Sequence, residues 1–485
     1  MSIRRCLILG WMVAGLQVLS AGQNPPPQNP PAQSSDDNNT SARTAPAAAL
    51  SALAGMETEG GTEDASSDLP QIPALLGGRG TSTAFLSELE RSNYLRGGVN
   101  VGAAYDDNPL LASSGVVGNT SVSIFPNLRI EQSTSRIRWS LGYAGGLTIN
   151  QRLTNQNQGS HNLNFDSQFR LSPHVNLRVA ENFSLTSGFF DSGNGTGVIG
   201  SGGPNASLLT PLATQRSSAT TVETNYHYAL YDLIGVSGSF YDLHFTNVPT
   251  SPAGTQPIQL TDTQTASGSA FWLHRLFGGD WGGVSYRFDR ITFNPSGETR
   301  VHSFSAVDTI SFSKRFTLSA FIGPQYSENQ GLAAGTTQAQ PTQSNAWSVG
   351  GGAEGGWQSE RTSVSVGYSR SISDGGGVLG VVRLQNVHAT FRRELVPGWV
   401  TALTASHGTN QSVTVPSQTS ASSITLTSAG ASLERNVGKS IGIRVGYTHD
   451  FQQQFGVPDA AQTLDAHRNR FFVTLSYQWA KPLGM

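Results

Sequence analysis

The groups in this chain best suited to act on a solute are arginines rather than nucleophiles. Of 30 basic residues only Lys314, Lys439 and Lys481 are lysine. Arg129, Arg136, Arg138, Arg170, Arg178, Arg287, Arg392 and Arg444 each follow or precede an apolar residue in stretches where apolar and polar side chains alternate. Alternation with period two places them on the face opposite the apolar one, and Glu131, Asn164, Asp166 and Asp289 share that parity. Guanidinium groups lining a pore lower the barrier for anions or acidic sugars. Interleaved with acids, the same groups form an ion-pair network that stiffens a wet wall. Both readings stand at this point, and they are compatible.

Catalytic constellations are missing from the sequence. Gly235-Val236-Ser237-Gly238 lacks the second spaced glycine of a nucleophile elbow. The 10 histidines hold no His-x-x-x-His pair. His161, His227, His244, His388 and His407 are the ones that distant strands could bring to a Ser/His/acid site, but solvated or interfacial histidines explain them more simply. Gly350-Gly351-Gly352 and Gly375-Gly376-Gly377 lack the Lys-Ser/Thr of a phosphate loop and read as a bend and a loop. Asp106-Asp107-Asn108 has too few spaced ligands for calcium and reads as a turn. The expectation is no enzyme, no metal and no cofactor.

The elements that must position the arginines follow from composition and rhythm. Charged residues are 13 % of the chain, against about 25 % in ordinary globular proteins, and there are 55 glycines among 485 residues. That excludes coiled coils and Lys/Glu-rich helical enzymes, and a net charge of −2 argues against a phosphate-neutralising nucleic-acid binder. Residues 1–22 read as an export signal: Arg4 and Arg5, an apolar run from Cys6 to Leu19, then Ser20-Ala21-Gly22. Cys6 is the one cysteine, so disulfides and thiolate sites are excluded downstream. Residues 23–94 read as a Pro/Ser/Ala/Gly-rich periplasmic leader without a core of its own, with one short helix at Phe85–Leu89.

From 95 to 485 the texture is uniform. About 18 alternating segments begin near 95, 119, 135, 160, 174, 219, 233, 262, 280, 300, 315, 345, 361, 381, 397, 422, 438 and 468. Their length suits a tilted bilayer crossing, and short connections alternate with long polar ones. Trp139, Tyr143, Trp281, Tyr286, Trp347, Trp357, Tyr368, Trp399, Tyr447, Tyr477 and Trp479 mark strand ends, as in two aromatic girdles. A solenoid or propeller needs a fixed repeat and tandem sandwiches need a linker; neither is present. The expected fold is therefore all-β: a transmembrane antiparallel up-and-down β-barrel of about 18 strands, with both ends of the chain on the short-turn, periplasmic side.

Gly98-Val99-Asn100-Val101-Gly102-Ala103-Ala104-Tyr105-Asp106-Asp107-Asn108 resembles the opening strand of the β-barrel porin-2 type of outer-membrane proteins. The end, Leu475 to Gly484, is similar to the last strand of bacterial outer-membrane barrels, some of them linked to exopolysaccharide export. The resemblance implies a Gram-negative outer-membrane location and contact with lipid and the barrel-assembly machinery. Val473, Leu475, Tyr477 and Trp479 are the candidate insertion signal, although here Lys481 to Met485 follow the aromatic that often ends such chains. The functional expectation is a passive channel for hydrophilic solutes, anions included. An exopolysaccharide-export component, or a structural or adhesive barrel with a closed lumen, are the alternatives.

Overall fold

The computed structural model describes residues 93–112, 116–154, 157–186, 214–246, 261–276, 280–293, 297–313, 315–332, 341–374, 381–413, 423–438, 440–455 and 464–483. The expected signal, nearly all of the leader, the helix at Phe85–Leu89 and Gly375–Gly377 lie outside them.

Eighteen antiparallel strands form one sheet. They are β1 (Tyr94–Asp106), β2 (Asn119–Ser133), β3 (Ile137–Asn150), β4 (Gln158–Arg170), β5 (Val175–Thr186) and β6 (Thr214–Ala229). Next come β7 (Asp232–Thr246), β8 (Thr263–Arg275), β9 (Trp281–Phe293), β10 (Glu298–Ser313), β11 (Phe316–Leu332) and β12 (Pro341–Gln358). The last are β13 (Thr362–Ser373), β14 (Val382–Val396), β15 (Trp399–Ser412), β16 (Ser423–Val437), β17 (Ile441–Phe455) and β18 (Leu464–Pro482). Each pairs with its sequence neighbours, and β1 meets β18 from Tyr94↔Pro482 to Asp106↔Arg470, so the sheet closes on itself.

The two faces are inverted relative to a water-soluble sheet. On β2, Val122 and Ile124 are 51 % and 49 % exposed, while Ser123 between them is 1 % exposed. Apolar side chains turned outward and polar ones turned inward are stable only with lipid outside. Trp347 and Trp357 point outward from β12, ten residues apart. At ~3.3 Å per residue and a tilt of ~40°, that spans the ~25 Å apolar band of such barrels. Connections 134–136, 171–174, 230–231, 276–280, 314–315, 359–361, 397–398 and 438–440 are short and share the end where β1 begins and β18 finishes. The two-residue turn 397–398 needs Gly398, whose φ is +82°.

Inside, glycines make room for large side chains to lie flat against the wall. Phe271 lies over Gly235, Phe321 over Gly352, His388 over Gly367 and Phe472 over Gly446, each directly opposite its glycine. A Cβ at those glycines would sit 2.0, 2.6, 2.2 and 2.3 Å from the ring, so no other residue fits without a shift. Gly350-Gly351-Gly352 is accordingly a continuous part of β12 and not a bend. Trp281 also departs from expectation. It begins β9 on the inward parity and is 6 % exposed among inner-wall residues, so it belongs to no girdle.

Candidate functional site

Most of the expected arginines gather on the inner wall at the short-turn end. Arg129, Arg138, Arg170, Arg178, Arg392 and Arg444 lie within five residues of that end of their strands, on the inward parity. Arg96, which the sequence reading passed over, joins them on β1. Acids accompany them closely. Arg129 Nε lies 2.8 Å from Glu131 and Arg96 lies 3.4 Å from the same carboxylate. Arg178 Nε donates to Asp166 at 2.8 Å, and Arg444 donates to Ser432 Oγ at 3.1 Å. Arg287 donates to Asp289 at 2.8 Å further up the wall on β9. Arg136 is off the wall: it occupies the turn 134–136, where its carbonyl accepts the Arg170 N–H at 2.7 Å. Its parity pointed inward, but the strand begins one residue later.

The opposite sector of this end is apolar. Leu233, Phe271, Leu273, Trp281 and Val307, with Phe321 against them, form a buried cluster on the inner faces of β7 to β11. In the closed order β10 stands nine strands from β1, so the cationic arc and the apolar arc face each other across the barrel. Concavity explains the burial: inward side chains on a curved wall crowd each other, while outward ones splay.

At the other end, buried ion pairs lock β18 to both of its neighbours, β1 and β17. Arg468 Nε donates to Asp106 at 2.7 Å, and Arg470 donates to Asp450 at 2.7 Å, with Ser428 donating to the same carboxylate. Asp107 accepts the Asn469 side-chain amide at 2.6 Å, and Asn108 donates to the carbonyls of Ala112 and His467 at 2.9 Å each. The Asp106-Asp107-Asn108 trio thus ties the end of β1 to β18 and to the chain that follows it. Leu111 adopts φ +54° and packs on Leu426 and Ala466, so the first long connection starts inside the mouth. A leucine in that region costs ~1–2 kcal/mol of backbone strain, which the flanking bonds hold in place.

Of the five histidines singled out, His161, His244 and His407 are on outward parity, bonded to Tyr143 at 2.8 Å, to Asp262 and to Thr427 at 2.9 Å respectively. His227 and His388 lie inward on β6 and β14, eight strands apart in sequence order. The structure does not bring them together. Val473, Leu475, Tyr477 and Trp479 share the outward face of β18, 40–49 % exposed, with Trp479 laid across Gly97.

A closed eighteen-stranded barrel, apolar outside and arginine-lined inside, has the architecture of a membrane-spanning β-barrel. No family model matches the chain, and no curated protein matches it. Among solved structures it is similar to the outer membrane protein OpdK from Pseudomonas aeruginosa: 9 % identity, TM-score 0.40, covering 80 % of this chain and 99 % of that one. OpdQ from Pseudomonas aeruginosa is similar at 9 % identity and TM-score 0.41, covering 81 % and 100 % of the two chains. So is OccK2 (OpdF) from Pseudomonas aeruginosa in complex with glucuronate, at 9 % identity and TM-score 0.40, over 80 % and 98 %.

Proposed function

We propose that the barrel is a passive channel for small hydrophilic solutes, biased toward anions. The observation that carries this reading is the arc of seven inward arginines, Arg96, Arg129, Arg138, Arg170, Arg178, Arg392 and Arg444, at the periplasmic mouth. Bonds from Arg96 and Arg129 to Glu131 and from Arg178 to Asp166 hold those three guanidinium groups against the wall, which keeps their positions defined while a solute passes. Acids nearby reduce the field without cancelling it, so the expected preference is moderate.

Liposome swelling tests this. Vesicles carrying the protein should swell faster in gluconate than in a neutral sugar of similar size. Equal or reversed rates contradict the anion bias, and no swelling in either contradicts the channel. A closed structural or adhesive barrel is the second reading. It draws on Leu111 packed inside the mouth and on the Asp374 carboxylate accepting from Thr263 on β8, five strands away from β13. Residues 1–22 serve in this account as the export signal and 23–94 as the periplasmic leader. The outward row Val473, Leu475, Tyr477 and Trp479 is the signal read by the assembly machinery, so a chain lacking 468–485 should fail to reach the membrane.

A further inference from the structure

The arginine arc carries more charge than its own carboxylates balance. At the short-turn end of β1 to β5 and β14 to β18, its seven inward arginines meet four inward carboxylates, Glu131, Asp166, Glu394 and Glu434. Three cationic charges are left in excess. Arg170 is exposed, and the side chains of Arg96 and Arg129 are 41 % and 32 % exposed, so that excess is open to whatever occupies the mouth. A concave wall lined by one sign of charge concentrates the opposite sign in front of it.

The chain's own leader carries that opposite sign. Residues 23–92 contain nine acids, three arginines and neither lysine nor histidine. Five of the acids, Glu57, Glu59, Glu63, Asp64 and Asp68, fall within twelve residues that hold no basic side chain. The leader also joins the barrel beside the arc. Asn93 is fixed at the short-turn end: its side-chain oxygen accepts the Ser133 N–H at 2.9 Å, and its carbonyl accepts the Leu483 N–H at 2.8 Å. In the closed order no arginine of the arc stands more than five strands from β1, about 25 Å along the wall at ~4.8 Å per strand. The 25 residues from Asp68 to Asn93 can span up to ~85 Å, so the acidic stretch reaches every member. A tethered segment meets its site at an effective concentration on the order of millimolar, and individually weak charge pairs then suffice to hold it.

We propose that residues 57–68 dock on the arginine arc and transiently occlude the mouth, an autoinhibitory contact for which anionic solutes compete. The leader carboxylates take the guanidinium groups that a passing anion would use, so closure is reversible and weakens with salt. This rests on the channel reading and on its placement of the leader at the short-turn, periplasmic end.

The chain from residue 23 onward is compared with a variant carrying Glu57→Gln, Glu59→Gln, Glu63→Gln, Asp64→Asn and Asp68→Asn, by single-channel recording in planar bilayers. In about 0.1 M KCl the wild type should close briefly and often, and the variant about tenfold less often with the same open conductance. In about 1 M KCl the two should become alike. A synthetic peptide of residues 57–68 added to the bath should restore closures to the variant. Closures equally frequent in both proteins, or a conducting wild type that never closes, overturn the proposal. The same peptide, fluorescein-labelled, is titrated onto the detergent-solubilised variant and followed by fluorescence anisotropy. Binding should saturate, and Arg138→Gln with Arg170→Gln should weaken it about fivefold; no binding, or binding indifferent to those arginines, overturns the proposal. Arginine-dependent binding to a protein that never conducts would refute the channel reading and leave the docking contact standing.

Discussion

Two seams of the same barrel, β1–β18 and β12–β13, are built in opposite ways. The first joins the ends of the chain through thirteen residue pairs and is crossed or flanked by Arg468–Asp106 and Arg470–Asp450, all four residues at most 6 % exposed. The second has eight pairs and five glycines, and is spanned by a longer contact, Glu354 of β12 to His388 of β14 at 3.6 Å. Closure brings together segments more than 360 residues apart and cannot rely on a local turn, so it is reinforced by length and by charge pairs that tolerate one register only. The β12–β13 hairpin closes through a short turn at 359–361, and its pairing stops at Gly351↔Arg370.

Breaking the strong seam should have the largest effect. Arg470→Ala leaves Asp450 buried and unpaired, and should cost ~3–5 kcal/mol in denaturant unfolding of the micelle-bound barrel. A loss below ~1 kcal/mol would mean the pair contributes little beyond its geometry. Next in size is Gly446→Leu, which collides with the Phe472 ring over which the β17–β18 wall is built. Overpacking of this kind costs ~1–3 kcal/mol, and Phe472→Ala in the same chain should recover part of it in the same unfolding assay. The weak seam can instead be strengthened. Gly355 has ordinary space around an added Cβ, with Leu318 and Phe316 both 3.9 Å away, and stands opposite Val366. Gly355→Val should raise stability by ~0.5–1 kcal/mol and slow amide exchange on β12, while the same change at Gly446 should do the reverse. The smallest effect is electrostatic. Arg138→Gln with Arg170→Gln removes two charges from the mouth and should move the reversal potential toward that of an unselective pore without changing unfolding.

Much of this architecture was legible before any coordinates. Period-two alternation located all eighteen strands, because one lipid face and one wet face leave the register no freedom. Segment starts at 119, 233 and 262 lie within a residue of β2, β7 and β8, whereas the start at 219 missed β6 by five. The inward parity of Arg129, Arg138 and Arg178 was readable for the same reason. Partnerships across the chain were not. Asp106 and Arg468 are 362 residues apart, and nothing local marks them as a pair. Trp281 was misread because an aromatic at a strand end carries no sign of which face it takes. The glycine count served to exclude helical classes, but several of these residues are seats for inward rings, a role visible only once β7 lies beside β8 and β17 beside β18. The divergence of β12 from β13 is likewise a property of unequal strand lengths meeting.

The central claim, that an arginine-lined lumen conducts, is tested most directly by single-channel recording in planar bilayers under a KCl gradient. The account predicts discrete conductance steps whose reversal potential lies on the chloride side of zero. A silent membrane with verified insertion, or a reversal potential on the potassium side, would contradict it.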